Sequence, residues 1–239
     1  MIMSSSREAV QARLQAVHER ITKAARVAGR DPGSVALLAV SKTFPPDAIV
    51  AAHSAGQRAF GENYVQEALD KIQSLPELRT GLEWHFIGPI QSNKTRVIAE
   101  HFDWVQSVDR LKVAQRLSEQ RPAVMPPLNV LLQVNISGEA SKSGVEPDDL
   151  DGFAREVARL PRLRLRGLMA IPELDDDPVR QRAPLAAMRA LYERLRTQGL
   201  ALDTLSMGMS ADLEAAVLEG STMVRIGTAI FGERERKHA

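Results

Sequence analysis

The stretch LLAVSKT, residues 37–43, is followed by Pro45-Pro46, and the fold prediction starts from it. An apolar run that ends in turn-forming prolines is typical of a buried strand entering a loop. Lys42 then lies at the carboxyl end of that strand, where parallel α/β proteins bind ligands. A partly desolvated lysine loses its proton readily and can form a Schiff base with an aldehyde. Lys42 is therefore the first candidate site residue.

Outward from this strand, strand-like runs alternate with helical patterns along the whole chain. Eight strands in 239 residues come close to the size of a (β/α)8 TIM barrel. An open doubly wound sheet is the alternative, but no block of strands lacks intervening helices. We predict strands at 35–40, 58–61, 84–88, 103–106, 128–134, 163–169, 203–207 and 222–226, and helices near 46–56, 63–74, 92–100, 109–119, 147–159, 179–198 and 211–219.

Before the first strand, residues 5–28 form an amphipathic helical pattern. Ser5 and Glu8 make a candidate capping box at its start, and Gly29 is a natural stop after its end. We find no linker or internal repeat. The prediction is one α/β domain over residues 1–239, with residues 1–30 as an N-terminal helix packed on the barrel and residues 233–239 as a charged tail.

Composition excludes several function classes. The absence of cysteine excludes disulfides and thiol catalysis, and a net charge of +1 gives no field suited to nucleic acid. No apolar run approaches the ~20 residues of a membrane span, and the N-terminus lacks the apolar core of a secretory signal. The histidines show no metal-ligand spacing, and His85 is predicted to be structural. We expect a cytoplasmic protein without a metal, a membrane or a nucleic acid partner.

Two later segments have the pattern of phosphate-binding loops. TLSMGMSAD (204–212) ends a strand and opens a helix, and GSTMVRIGTAIFG (220–232) places Gly-Thr after the last strand. Backbone N–H groups at helix starts attract phosphate, although Ser210 could be only a helix cap and Gly208 only a turn. Loops after strands seven and eight are the usual phosphate site of a TIM barrel, so the two segments support each other.

Arg225 lies inside the last apolar strand and needs a buried acceptor, which could be a ligand or a neighbouring carboxylate. A lysine on one side of the barrel mouth and a phosphate cup on the other describe a ligand that carries both an aldehyde and a phosphate. Pyridoxal 5′-phosphate (PLP) has this shape, as do the sugar-phosphate aldehydes of Schiff-base aldolases. Arg225 favours PLP, because it could donate to the pyridine nitrogen.

These residues carry a family resemblance that runs through nearly the whole chain in order. The chain resembles the pyridoxal phosphate homeostasis proteins and, more distantly, the N-terminal barrel of alanine racemase. The resemblance implies PLP held on Lys42 as a Schiff base and Arg225 facing the ring nitrogen. It also implies phosphate contacts at Ser206, Gly227 and Thr228, with main-chain help around Met209 and Ser210. The matching stretches are residues 37–42, 60–67, 84–94, 135–137 with 142–144, 166–172 and 204–232.

Asn63 follows the second predicted strand and is expected near the cofactor, although capping a turn is its simpler role. Phe44 departs from the family pattern, since many members carry a second lysine at this position. This chain therefore lacks, at that position, the second amine that those members carry.

The function implied is PLP homeostasis, without an assigned catalytic residue. Recipients would be apo forms of PLP-dependent enzymes, and the chain is expected to be a monomer. The alternative is a PLP-dependent amino-acid racemase, which needs a base on each face of its substrate. The chain ends soon after its last predicted strand, and its only tyrosines are Tyr64 and Tyr192, so the racemase hypothesis is weaker. A cofactor-free aldolase would leave Arg225 unused.

Overall fold

A computed structural model describes residues 2–138, 143–173 and 175–233, with side chains from Arg7 onward. Eight parallel strands close into a barrel in the order β1 to β8, and β8 pairs with β1. This closure excludes the open doubly wound sheet. Each predicted strand occurs within two residues of its expected bounds. The strands are β1 (Ala36–Val40), β2 (Ala59–Glu62), β3 (Glu83–Phe86), β4 (Trp104–Val108), β5 (Leu128–Gln133), β6 (Leu163–Met169), β7 (Thr204–Ser206) and β8 (Met223–Ile226).

Helices follow the strands around the outside of the barrel. The bounds are α1 (Ile2–Val27), α2 (Pro46–Ser54), α3 (Val65–Ser74), α4 (Thr95–His101), α5 (Leu111–Gln120), α6 (Leu150–Ala158), α7 (Pro178–Thr197), α8 (Leu213–Leu218) and α9 (Thr228–Phe231). The short helix α9, directly after β8, was not predicted. None of the helices in the described part of the chain is long and apolar enough to cross a membrane.

Helix α1 lies against the barrel along one apolar face, which includes Leu14, Val17 and Ile21. Its end is confirmed at Gly29, which has φ of 66° and donates to the Arg26 carbonyl. A glycine adopts this left-handed conformation without steric cost. The predicted start is wrong, because the helix begins at Ile2 and Ser5 lies inside it. Serine disfavours a helix interior only weakly, so the helical pattern continues through it.

Arg20 ties α1 to the loop that follows β7. Its guanidinium forms two hydrogen bonds of 2.8 Å with the Glu214 carboxylate of α8. It also donates to the carbonyl of Ser210 at 3.0 Å. The hydrogen bonds from Arg20 lower the pKa of Glu214. The N-terminal helix therefore supports one of the two predicted phosphate loops from behind.

The barrel interior is polar at its centre, although the strands around it are mostly apolar. Gln106, Ser206 and Arg225 come from three different strands, and all are buried. A buried polar group is costly unless it is hydrogen-bonded, so these side chains must satisfy one another or a ligand. One of them, Arg225, also lines the cavity of the candidate site.

Candidate functional site

A cavity of about 290 Å³ opens at the carboxyl end of the strands, where TIM barrels place their active sites. Its lining combines one amine, one guanidinium, two hydroxyls and one side-chain amide with an apolar wall, and it contains no acidic residue. The cavity therefore favours an anionic ligand. The lining residues are Val40, Lys42, Phe44, Asn63, Ile87, Ile171, Met209, Ser210, Ala211, Arg225, Gly227 and Thr228.

Lys42 directly follows the end of β1, as the sequence predicted. Its side chain is half-buried and lines the cavity. The backbone turns sharply here, since the Phe44 N–H donates to the Ser41 carbonyl at 3.0 Å. Phe44 packs against Phe231 with ring centroids 5.1 Å apart, so it forms part of the apolar wall.

The loops after β7 and β8 meet at the same side of the cavity. Gly227 precedes α9, and a β-carbon built on it would lie 3.1 Å from the Val40 carbonyl oxygen. Within α9, the N–H groups of Ile230 and Phe231 donate to the Gly227 carbonyl, whereas the first N–H groups of a helix, here those of Thr228 and Ala229, have no carbonyl acceptor within it. The N–H of Met209, by contrast, donates to the Asp212 carboxylate at 2.6 Å.

Arg225 is nearly inaccessible to solvent, with 4% of its surface exposed, yet it lines the cavity. It donates to the Ala170 carbonyl and to the Ser206 hydroxyl, both at 2.8 Å. Among the described residues, no carboxylate forms an ion pair with it, which removes the buried ion pair considered from the sequence. Burial lowers the pKa of Arg225 to about 10, and the nearby charge of Asp212 opposes that shift. The guanidinium still carries its charge at neutral pH.

Ser206 lies in the barrel interior and does not line the cavity. Its hydroxyl accepts from Arg225 and donates to the Gln106 side-chain oxygen at 2.7 Å. The Ser206 hydroxyl thus supports Arg225, and its expected contact with a phosphate stays a prediction. No pattern in the sequence distinguishes this role, because Ser206 belongs to the same small-residue segment as Ser210.

The hydrogen bonds continue through the barrel axis towards its opposite end. The Gln106 amide nitrogen donates to His85 Nδ1 at 2.9 Å, and His85 Nε2 lies 2.8 Å from the half-exposed Glu83 carboxylate. Because Nδ1 accepts, Nε2 carries the proton and donates to Glu83. This bond lowers the pKa of Glu83. The axial relay Arg225–Ser206–Gln106–His85–Glu83 gives His85 the structural role expected of it.

We expect Gln106→Leu to destabilise the protein by about 2–3 kcal/mol, because it leaves two buried polar partners unsatisfied. The leucine is similar in size but cannot accept from Ser206 or donate to His85. Urea unfolding followed by circular dichroism measures the change. Gln66→Leu is the control, since Gln66 is exposed on α3 and bonds only Asp70 among described residues. Equal stability of the two variants would contradict the relay.

Asn63 directly follows β2 and lines the cavity next to Lys42. Its side-chain oxygen is buried and has no hydrogen-bond partner among the described residues. Buried polar atoms are usually satisfied, so an unsatisfied one in a cavity wall offers an acceptor to a ligand. A second lobe of about 290 Å³ adjoins the cavity and shares Asn63, Ile87 and Ile171 with it.

Comparison with known proteins agrees with this arrangement. A family model described as alanine racemase, N-terminal domain, matches residues 12–235. The "Pyridoxal phosphate homeostasis protein" of Pseudomonas aeruginosa is 65% identical over 219 residues, which cover 92% of this chain and 93% of the relative. The protein of the same description in Escherichia coli K12 is 59% identical over 223 residues, covering 93% and 95%.

Solved structures show the same fold. PipY of Synechococcus elongatus, solved with PLP bound, is 39% identical with a TM-score of 0.82, covering 93% of this chain and 100% of PipY. Alanine racemase from Corynebacterium glutamicum is 18% identical with a TM-score of 0.67, covering 92% of this chain and 61% of the racemase. The racemase likeness shows the fold alone. The chain belongs to the pyridoxal phosphate homeostasis protein family, whose barrel is of the alanine racemase N-terminal type.

Proposed function

We propose that this chain binds PLP reversibly through a Schiff base on Lys42 and maintains the supply of this cofactor without turning over a substrate of its own. The observation that carries the proposal is the cavity, which joins the Lys42 side chain and the Arg225 guanidinium and has no acidic residue in its lining. The homologue PipY, solved with PLP bound, supports the choice of ligand.

The residues present fit PLP group by group. Lys42 would hold the aldehyde end, and Ser210, Gly227 and Thr228 would hold the phosphate through hydroxyl and backbone N–H donors. Met209 adds cavity wall beside them. The unpartnered oxygen of Asn63 offers one acceptor to a ligand hydroxyl.

The covalent step needs no oxidant or reductant. The neutral amine of Lys42 adds to the aldehyde carbon, and loss of one water leaves a carbon–nitrogen double bond that water can hydrolyse again. PLP supplies a reactive aldehyde and a ring that can accept electrons.

Arg225 determines how strongly that ring accepts electrons. A guanidinium has only donors, so it cannot take a proton from the ring nitrogen but can donate to it when that nitrogen is unprotonated. An unprotonated ring is a weaker electron sink than one paired with a carboxylate. Arg225 therefore disfavours carbanion chemistry and leaves exchange of the aldehyde between amines available, which suits a carrier better than a catalyst.

The racemase alternative lacks a second base in this site. Neither tyrosine lines the cavity: Tyr64 is exposed at the start of α3, and Tyr192 is buried on α7. Pure protein loaded with PLP should racemise alanine at a rate negligible beside a bona fide racemase. Rapid racemisation would replace the carrier proposal with the racemase one.

We expect the purified protein to gain an absorbance band near the blue edge of the visible range when PLP is added. Borohydride should then fix the mass of the cofactor on the tryptic peptide that contains Lys42. A protein that stays colourless, or a mass fixed only on other lysines, would overturn the proposal.

Delivery to recipients follows from the reversibility of the bond. We propose that apo forms of PLP-dependent enzymes receive the cofactor from a monomeric carrier. The support is the open position of Lys42 at the barrel mouth, where a competing amine can reach the bond. Recovery of activity by an apo-enzyme mixed with loaded carrier, alongside light scattering for the carrier's mass, tests both parts.

A further inference from the structure

Three side chains behind the cavity form a buried ionic cluster that the proposed function does not use. Glu62 ends β2, and Glu67 and Lys71 lie one turn apart on α3. Glu62 is fully buried, and only 3% of Lys71 is exposed. Lys71 Nζ lies 2.7 Å from Glu62 and 2.6 Å from Glu67. We name these three residues the α3 clamp.

The α3 clamp has unusually complete hydrogen bonding around its lysine. An ammonium has three N–H donors, and Lys71 gives one to each carboxylate and the third to the Ser41 carbonyl at 2.8 Å. Burial raises the pKa of Glu62, and the neighbouring Lys71 opposes that shift. A buried ion pair contributes little net stability compared with apolar packing, so its presence calls for another explanation.

The clamp contacts the chain immediately on both sides of Lys42. The Ser41 hydroxyl donates to Glu62 at 2.6 Å, and the Thr43 N–H donates to Glu67 at 2.5 Å. With the bond from Lys71 to Ser41, three hydrogen bonds hold the two flanking residues. The Lys42 backbone is thus fixed from α3 and β2 rather than from its own strand alone.

The turn that these bonds hold is strained. It is closed by the Phe44 N–H and the Ser41 carbonyl, with Lys42 in its second position and Thr43 in its third. Thr43 has φ of 69°, a conformation that turns normally give to glycine or asparagine and that is rare for a β-branched residue. Such strain persists only where the surroundings over-determine it.

We propose that the α3 clamp is a positioning device for the Schiff-base lysine: Glu67 and Lys71 hold the strained Ser41–Phe44 turn so that the amine of Lys42 faces the bound aldehyde. This inference rests on the proposed function of Lys42. None of the three clamp side chains lines the cavity, so they act through the turn and not by touching the ligand.

The test compares Glu67→Ala with Glu67→Gln. Alanine removes the acceptor for Thr43, whereas the glutamine oxygen can still accept from Thr43 and Lys71. We expect Glu67→Ala to weaken PLP binding about tenfold, measured by the visible band and by borohydride trapping, and Glu67→Gln to stay within about threefold of wild type. The control is Asp70→Ala, which removes an exposed acidic partner from the same helix.

Two double variants separate positioning from general loss of structure. In a Lys42→Ala background, Glu67→Ala should change the remaining non-covalent affinity less than twofold, because the amine it positions is gone. In a Thr43→Gly background, the loss caused by Glu67→Ala should shrink, because glycine adopts positive φ without strain. An unchanged affinity in Glu67→Ala, or an equal loss with and without Lys42, would overturn the inference.

Amide hydrogen exchange at Thr43 in the cofactor-free protein tests, independently of PLP, whether the α3 clamp holds the turn. Exchange should rise at least tenfold in Glu67→Ala and stay unchanged in Asp70→Ala. If wild-type protein fails to form the Schiff base, the proposed function fails, whereas unchanged exchange refutes the clamp itself.

Discussion

Gly167→Ala is expected to lower the free energy of unfolding by about 3 kcal/mol or more, the upper end of what single substitutions usually cost. Gly167 has φ of 155°, and a β-carbon built on it would overlap the carbonyl of Thr204, its partner in β7. Backbone atoms in a sheet cannot turn aside as a flexible side chain can. Urea unfolding with a linear extrapolation measures the loss.

Gly152→Ala is the matched control, because it makes the same chemical change where there is room. Gly152 is the third residue of α6, and a β-carbon there meets no atom within 4 Å. Alanine is a better helix former than glycine and should raise stability, by up to about 0.5–1 kcal/mol. The two Gly→Ala changes therefore have opposite expected signs, and a similar small effect for both would refute the close approach of β6 and β7.

The position of Gly167 also matters for the site. The pairing of β5 with β6 passes from Leu165 to Gly167, so Arg166 is the extra residue of a bulge. Ala170 follows the end of β6, beyond the bulge, and its carbonyl accepts a hydrogen bond from Arg225. The Ser206 hydroxyl at the end of β7 accepts a second one. Damage at Gly167 should therefore weaken PLP binding as well as folding.

The strands could be predicted because each is a separate apolar run bounded by turn residues. Burial on both faces makes a parallel strand nearly continuously apolar, as the five residues Ala-Leu-Leu-Ala-Val of β1 show. The order of strands and the closing pair β8–β1 follow from repetition of the β–helix unit. The start of α1 was missed because a serine pattern that favours a cap is also compatible with a helix interior.

The candidate site was only partly predictable, for a physical reason. Lys42 and Asn63 lie at strand ends, and Arg225 lies inside an apolar strand. Their residue types and positions along the sequence are therefore enough to identify them as candidate site residues. The roles of Ser206 and Lys71 depend on partners far along the chain, such as Gln106, 100 residues from Ser206. The spacing on a helix makes Lys71 look like an ordinary surface lysine paired with Glu67.

Lys42→Ala is expected to abolish the visible band and all borohydride-fixed mass at this position, and to weaken PLP binding by about a hundredfold or more, equivalent to about 2.7 kcal/mol. The reason is that the covalent bond is lost while the other contacts remain. Lys94→Ala is the control, since Lys94 is a partly buried lysine beyond β3 that does not line the cavity. A normal adduct in Lys42→Ala would place the Schiff base on another residue.

The affinity that survives in Lys42→Ala measures what the rest of the cavity contributes. The N–H donors of Gly227 and Thr228, the Ser210 hydroxyl and the Arg225 guanidinium do not depend on the lysine, so non-covalent PLP should still bind and should be competed by inorganic phosphate. If binding disappears entirely, the lysine is the main binding determinant and the loops after β7 and β8 contribute little. If it survives, Lys42 is a tether added to an independent phosphate site, and the cofactor can dissociate in two steps, hydrolysis first and release of the phosphate second.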